Sequence, residues 1–291
     1  MLTIGGLGAL LLASLAGYGV ASAALRPVEA MRSKAAAITD SEPGERLPVP
    51  TARDEIARLG ATLNQMLERL EAGIARERAF VSDASHELRT PLAILKTELE
   101  LALRRARTPE ELRDSLRSAS EETERLARLA EDLLVIARAD GGRLPLKVTT
   151  IDVTSLLGGL AERFERRLGE AERSLVVSST PGLRLEADPL RVEQALGNML
   201  DNALRHGKGE IRMEAEALNG HVELHVRDRG QGFPLAFVAV AFERFTRADE
   251  ARTGGGAGLG LAIVEAIAEA HGGRARAVNR PEGGADVWIE L

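Results

Sequence analysis

Between Asp54 and Ala137 the apolar residues recur at alternating steps of three and four, the spacing that lets a helix bury one stripe against another helix. A first seam runs through Ile56, Leu59, Leu63, Met66 and Leu70. The next apolar residues, Ile74, Val81, Leu88 and Leu95, recur every seven but lie one four-residue step out of phase, a stutter that locally unwinds a supercoil. This helix is expected to end near Arg107, because TPEE at 108–111 supplies a Thr cap, a Pro at the first helical position and a Glu for a capping box. The following helix carries a strict seam of Leu112, Leu116, Ala119, Thr123, Leu126, Ala130, Leu133 and Ala137. Two such helices in a hairpin bury only one stripe each, so a four-helix bundle made by dimerisation is the expected completion. A plain coiled coil explains the seams equally well. It does not explain SHELRTP at 85–91, where Pro91 has no N–H for the Glu87 carbonyl and is expected to kink the helix one turn past His86.

Upstream of the seams, LTIGGLGALLLASLAGYGVASAAL is free of charge up to Arg26 and has the roughly 20 apolar residues needed to cross a hydrocarbon core. It lacks the basic start of a secretory signal peptide, so residues 1–25 read as a membrane span. Arg26, Arg32 and Lys34 just after it place the remainder in the cytoplasm by the positive-inside rule, with essentially nothing outside. The expected location is therefore the cytoplasmic membrane, with a single span. A short helix, RPVEAMRSKAAAI, and an extended connector, SEPGERLPVP, link the span to the first seam. With no cysteine, the chain has no disulfides, thiolate metal sites or thiol catalysis, so its chemistry rests on His, carboxylates, amides, hydroxyls and backbone. A net charge of −6 argues against direct nucleic-acid binding, which rests on neutralising phosphates.

From Ile151 the period changes and glycines multiply. A helix near 153–168, strands at 174–179 and 183–187, and a helix opened by Asp188-Pro189 as cap and first residue are expected. A hairpin around Asn219-Gly220 spans 210–227, GLAIVEAIAEAHGG closes a helix on glycine, and ADVWIEL is a final strand. Strands with helices on one face give an α+β sandwich. In the helix after Asp188, Arg191, Gln194, Asn198, Asn202 and Arg205 share one face, opposite Leu196, Met199, Leu200, Ala203 and Leu204. Such a stripe is either a solvated surface or a place to hold Mg²⁺ and triphosphate, since Mg²⁺ takes oxygen ligands. Asp228 continues the inward register of Val222, Leu224 and Val226, so its carboxylate needs a donor, which an adenine amino group or a structural Arg could supply. Arg229-Gly230-Gln231-Gly232 then lets the backbone turn tightly. GGGAGLGLAIV at 254–264 runs from a glycine loop into an apolar helix, whose exposed N–H groups favour a phosphate.

In this order, LRPVEAMRSKAAAI, DEIARLGATLNQMLERLE, FVSDASHELRTPLAIL, NMLDNALRHG, DRGQGFP, FERFTRAD and GGGAGLGLAIV closely resemble a bacterial membrane-bound sensor histidine kinase of a two-component system. The resemblance covers nearly the whole chain. It implies a transmembrane helix at 1–25, a HAMP linker at 26–74, a dimerisation and histidine phosphotransfer domain at 75–140, and a Bergerat-type ATP-binding domain at 141–291. It also implies ATP-dependent phosphorylation of His86, transfer to an aspartate of a cytoplasmic response regulator, phosphatase activity toward that regulator, and a homodimer. Carried over residue by residue, Glu87 positions the His86 imidazole, and Thr90 orients the water that removes phosphate from the regulator. Asn202 is the Mg²⁺ ligand, Asn198 and Arg205 neighbour the phosphates, and Asp228 reads adenine. Gly230, Gly232, Gly256, Gly258 and Gly260 are the backbone turns around the nucleotide, and Phe242 and Phe245 form the aromatic box that packs a mobile lid. His206, His221, His225 and His271 fall outside the acceptor motif and are read as structural or surface residues.

Two other readings compete. A non-catalytic transmembrane coiled-coil adaptor predicts damage at His86, Asn202 or Asp228, and all three are intact. A related ATPase that never uses His86 is disfavoured by the upstream HELRTP motif. One departure from the family pattern is the lack of an earlier span and an external sensor region in this sequence.

Overall fold

The computed structural model describes residues 2–37, 44–51, 54–105, 108–142, 144–218, 220–248 and 257–291. The chain divides into two compact units, Met1–Ser82 and Asp83–Leu291.

In the first unit, helix α1 (Leu2–Ala37) runs through Pro27, and helix α2 (Glu55–Arg105) begins where the Asp54 carboxylate accepts from the Ala57 N–H at 2.9 Å. Among the described residues no helix is long and apolar enough to cross a membrane. Most side chains of the expected span, including all of 1–10, lie outside the described residues. The connector 44–50 is held against α2 by one asparagine. Asn64 accepts from the Leu47 N–H at 2.8 Å and donates to the Leu47 carbonyl at 3.0 Å, completing both hydrogen bonds of a strand-like backbone. Met31 and Leu47 are buried in this layer. Val49 and Met31 press so closely on Gly60 that a Cβ there would sit 3.1–3.2 Å from their side chains. Arg46 and Glu71 add a two-point ion pair at 2.9 Å, with Glu71 also accepting from the Gly44 N–H.

The second unit opens with the hairpin of α2 and α3 (Pro109–Asp140). Thr108 caps α3 as its sequence requires: its hydroxyl accepts from the Glu111 N–H and the Glu111 carboxylate accepts from the Thr108 N–H. α2 continues through Pro91 as one helix, and the Thr90 hydroxyl reaches the His86 carbonyl at a long 3.5 Å. Ala119, Leu129, Val135 and Ile136 are buried on α3, whereas Leu92, Leu99, Leu103, Leu112 and Leu116 are exposed in the single chain.

The rest of this unit is an α/β sandwich. A five-stranded sheet has the order β2 (Leu175–Ser179), β4 (Ile211–Leu218), β5 (His221–Arg227), β7 (Ala285–Glu290), β6 (Arg274–Asn279). β2 pairs parallel to β4 and the other neighbours pair antiparallel. β1 (Thr149–Asp152) and β3 (Arg184–Ala187) form a separate two-stranded ribbon. Helices α4 (Val153–Glu170), α5 (Pro189–His206) and α7 (Gly260–Ala270) supply the apolar layer, and a short α6 (Leu235–Val238) follows Pro234. Leu157, Leu196, Met199, Leu200, Ile263 and Ile267 of these helices meet Ile211, Met213, Leu224 and Ile289 of the sheet, all of them at most 1% exposed. β1, β6 and α6 are elements that the sequence reading did not separate.

Candidate nucleotide and phospho-acceptor site

Asp188 starts the site by fixing α5. Its carboxylate accepts from the Arg191 N–H at the helix start and from the Lys147 N–H at 2.8 Å, while its own N–H donates to His271 Nε2 at 3.0 Å. His271 Nδ1 faces the Ile267 carbonyl at 2.8 Å, so Nδ1 carries the proton and Nε2 accepts. This histidine ties the end of α7 to the start of α5. Along α5, Val192, Ala195, Leu196, Met199, Leu200 and Ala203 face the core, and Arg191, Gln194, Asn198 and Asn202 are half-buried on the other side. Arg205 is exposed. The first turn of α7 lies against this face, since a Cβ on Gly260 would sit 3.9 Å from the Asn198 side chain. Asn198 Nδ2 is buried and, among the described residues, has no hydrogen-bond partner. A buried amide N–H₂ without an acceptor is costly, and an anionic oxygen is the kind of group that satisfies it.

Eight residues further, about 12 Å along the helix, α5 ends at His206, and its cap Gly207 lies beside Asp228. The Asp228 side chain is 6% exposed, and its Oδ1 accepts from the Gly230 N–H at 2.6 Å. Three glycines enclose it. A Cβ on Gly207 would stand 2.6 Å from the carboxyl carbon, one on Gly230 would stand 2.9 Å from Oδ1, and one on Gly284 would collide with the Asp228 carbonyl oxygen. Among the described residues no basic side chain forms an ion pair with Asp228. Arg173 instead donates to the Ala203 and Gly209 carbonyls, at 2.6 and 2.7 Å. Burial lowers the Arg173 pKa against the opposing pull of the Asp228 charge.

The loop after Asp228 is braced by a residue that the sequence reading passed over. Asn279 accepts from the Phe233 N–H at 2.6 Å and donates to the Phe233 carbonyl at 2.8 Å, and Gly232, at φ 72°, packs its backbone on the same side chain. Gly258, at φ 72°, lies so close to Phe245 and Thr246 that a Cβ would approach their backbone to 2.8–2.9 Å. The Phe245 N–H donates to the Gly258 carbonyl at 3.0 Å, so the segment carrying the half-buried Phe242 and Phe245 is laced to the start of α7. Gly256 lies outside the described residues.

On the hairpin, His86 is exposed and Glu87 is half-buried. Glu87 Oε2 accepts from Arg247 at 3.1 Å, and Arg244 forms an ion pair with Asp140 at the end of α3. The structure thus sets Asn198 against Gly260 at the start of α7 and Asp228 among Gly207, Gly230 and Gly284 at the far end of α5, and places His86, Glu87 and Thr90 together on α2. Arg247, Gly207, Gly284 and Asn279 were missed. Of these, Gly207 and Arg247 lie inside the quoted motifs NMLDNALRHG and FERFTRAD but had been given no role, and Gly284 belongs to the Gly283-Gly284 pair before the last strand.

The outer face of the sheet holds a separate polar cluster. His225 is 6% exposed and stacks on Trp288 with ring centroids 5.2 Å apart. Its Nδ1 lies 2.9 Å from Asp286 and its Nε2 3.1 Å from Glu223, while Arg227 joins Asp286 to Glu214. Carboxylates at both ring nitrogens require both to donate. Burial pulls the His225 pKa down, but the hydrogen bonds to Asp286 and Glu223 and the Asp286 charge outweigh it and raise it above its usual value. Burial likewise pushes Asp286 up, and its bonds from His225 and Arg227 overcome this to leave it lowered. A raised histidine stabilises the fold fully below its unfolded value of about 6.5, and that contribution is lost as pH rises through the folded value. Melting temperature is therefore expected to fall as pH rises above about 6.5, and His225→Gln is expected to flatten that fall in a pH series of thermal melts.

Three family models match the chain in order. They are the HAMP domain over residues 19–72, the His Kinase A (phospho-acceptor) domain over 76–142, and the histidine kinase-, DNA gyrase B- and HSP90-like ATPase over 187–291. The chain belongs to the sensor histidine kinases. Its relatives include a probable sensor histidine kinase HK of Mycobacterium tuberculosis, 43% identical over 72% of this chain and 52% of the relative. Another is the signal transduction histidine-protein kinase/phosphatase MprB of Mycolicibacterium vanbaalenii, 36% identical over 98% of this chain and 59% of the relative. Among solved structures, Acinetobacter baumannii histidine kinase AdeS matches with a TM-score of 0.61 and 27% identity, over 71% of this chain and 96% of that one. The chain spans between half and three fifths of the length of these two curated relatives. In this sensor histidine kinase the ATPase match covers the part of the sandwich from α5 onward, which holds Asp228 and the asparagine face, and the phospho-acceptor match covers the hairpin that holds His86.

Proposed function

We propose that the chain is an ATP-dependent protein-histidine kinase that phosphorylates itself on His86 and passes the phosphoryl group to an aspartate of a cytoplasmic response regulator. The observation that carries the nucleotide half of this reading is the buried Asp228 carboxylate inside its glycine frame, at the end of a helix face where Asn198 Nδ2 has no partner among the described residues. A carboxylate in that setting accepts from an exocyclic amino group, which favours adenine. Asn198 and Arg205 are assigned to the phosphates, and Asn202 offers an amide oxygen to Mg²⁺. Among the described residues no set of three or more His, Asp or Glu side chains could hold a metal unaided. This suits Mg²⁺, which is held by one or two protein ligands and substrate phosphates. When bound, Mg²⁺ would neutralise charge on the phosphates during transfer.

His86 attacks with one ring nitrogen while Glu87 accepts the N–H of the other, which fixes tautomer and orientation. Thr90, one turn away on the same face, is assigned to orienting water for dephosphorylation of the regulator, the second activity in the name of the MprB relative. The exposed leucines of the hairpin are assigned to a homodimeric four-helix bundle. Residues 1–25 are assigned to a single span of the cytoplasmic membrane, 26–74 to the linker, 75–140 to the phosphotransfer domain and 141–291 to the ATP-binding domain. Asp228→Asn tests the nucleotide assignment. The loss of a charged hydrogen bond, about 1.5–3 kcal/mol, is expected to weaken ATP binding roughly 10- to 150-fold in calorimetric titration. An unchanged affinity would remove Asp228 from the site.

A further inference from the structure

We infer that Arg247 docks the ATP-binding domain on the acceptor helix of its own chain, so that the phosphoryl group moves within one chain and not between two. The inference rests on the kinase reading above and adds to it the route of transfer and a positioning residue.

Two ion pairs hold the segment after α6 to the hairpin of the same chain. Arg244 meets Asp140 at the last residue of α3, and Arg247 meets Glu87, the neighbour of His86, at 3.1 Å. Asp140 lies 31 residues up α3 from Pro109, and Glu87 lies 18 residues back along α2 from Arg105. At about 1.5 Å per residue the two contacts are roughly 20 Å apart along the hairpin. Two points at that separation fix an orientation, which one contact would not. At the first of them α7 packs on the end of α3, around a cleft of about 270 Å³ whose lining includes Ala139, Asp140, Phe242, Arg244, Ala262 and Glu265.

The connection is short and pinned. Only residues 141–148 separate α3 from β1, a reach of at most about 29 Å when fully extended. Leu144 is buried, and the Lys147 N–H is held by Asp188. The domain therefore rests beside its own hairpin and reaches its own Glu87 without unfastening that connection. Arg247 meets Glu87 at Oε2, and Oε1, with no hydrogen-bond partner among the described residues, is left to accept from the imidazole. In the transfer, the free ring nitrogen of neutral His86 forms the N–P bond as the bond from the γ-phosphorus to the bridging oxygen breaks. That electron pair leaves on ADP, and the other ring N–H stays donated to Glu87.

Full-length chains carrying two different tags, coexpressed and purified through both, test the route with γ-labelled ATP. A mixed dimer of His86→Gln with Asn202→Asp is expected to take no label. A mixed dimer of wild type with a chain carrying both substitutions is expected to label its wild-type member. Label in the first dimer, or none in the second, overturns intrachain transfer. Wild-type dimers that take no label would instead sink the kinase reading itself. In the wild-type background, Arg247→Ala is expected to lower kcat for self-phosphorylation three- to fivefold with KM for ATP unchanged, and Arg247→Lys to restore most of it. An unchanged kcat, or a change in KM alone, overturns the positioning role.

Discussion

Replacing His86 by Gln is expected to abolish self-phosphorylation, a fall of at least about 100-fold, while ATP affinity and melting temperature stay at wild-type values. The ring is exposed on α2, so its loss removes little packing. Substitutions on exposed helix faces usually stay within about 0.5 kcal/mol. The Gln side chain matches the reach of the imidazole, but its amide nitrogen lone pair is delocalised into the carbonyl and does not attack phosphorus. The proposed nucleotide site draws on α5, α7 and the loops around Asp228, none of which includes residue 86. Label transfer, calorimetry and a melt on one preparation separate loss of the acceptor from loss of the fold.

The second large effect is expected at a residue with no side chain. Gly284 has a φ of 93°, and any Cβ there would run into the carbonyl oxygen of Asp228. Positive φ costs an L residue about 1–2 kcal/mol. Forcing the neighbouring strand aside adds about 1–3 kcal/mol more. Together these are a large share of a domain stability of about 5–15 kcal/mol. The strand cannot move freely, since the Asp228 N–H donates to the Ala285 carbonyl at 3.0 Å and the Arg280 N–H donates to Gly284 at 2.9 Å. Gly284→Ala is therefore expected to lower the melting temperature by several degrees and to weaken ATP binding with it. Gly182→Ala serves as the control, because its φ is also positive, at 71°, but nothing lies within 4 Å of its added Cβ. A loss at Gly284 no larger than at Gly182 would mean that crowding against Asp228 contributes nothing.

The helical elements were legible because their determinants are local. Thr108, Pro109 and Glu111 form the capping box within four residues, and Asp188-Pro189 starts α5 as read. The inward register of Asp228 was legible too, because alternation along β5 places residues 222, 224, 226 and 228 on one face. β6 escaped because RARAVN alternates Arg with Ala, whose small side chain gives a weak apolar signal. α6, at four residues, is shorter than any helical period can register. The enclosure of Asp228 was illegible for a different reason. Gly207, Gly230 and Gly284 come from three separate segments, and only tertiary closure gives them a common neighbour. His225 sat on the polar side of the alternation, and its burial comes from Trp288 and Asp286 two strand elements later. The Arg247–Glu87 pair joins residues 160 apart, and neither residue carries a local cue to the other.

The most direct measurement is to incubate the full chain with Mg²⁺ and γ-labelled ATP and locate the phosphate by its chemical stability and by peptide mapping. Acid-labile, base-stable phosphate is predicted on a single peptide that contains His86. ATP hydrolysis without protein labelling, or label confined to an acid-stable hydroxyl ester elsewhere in the chain, would contradict the assignment of His86 as the acceptor.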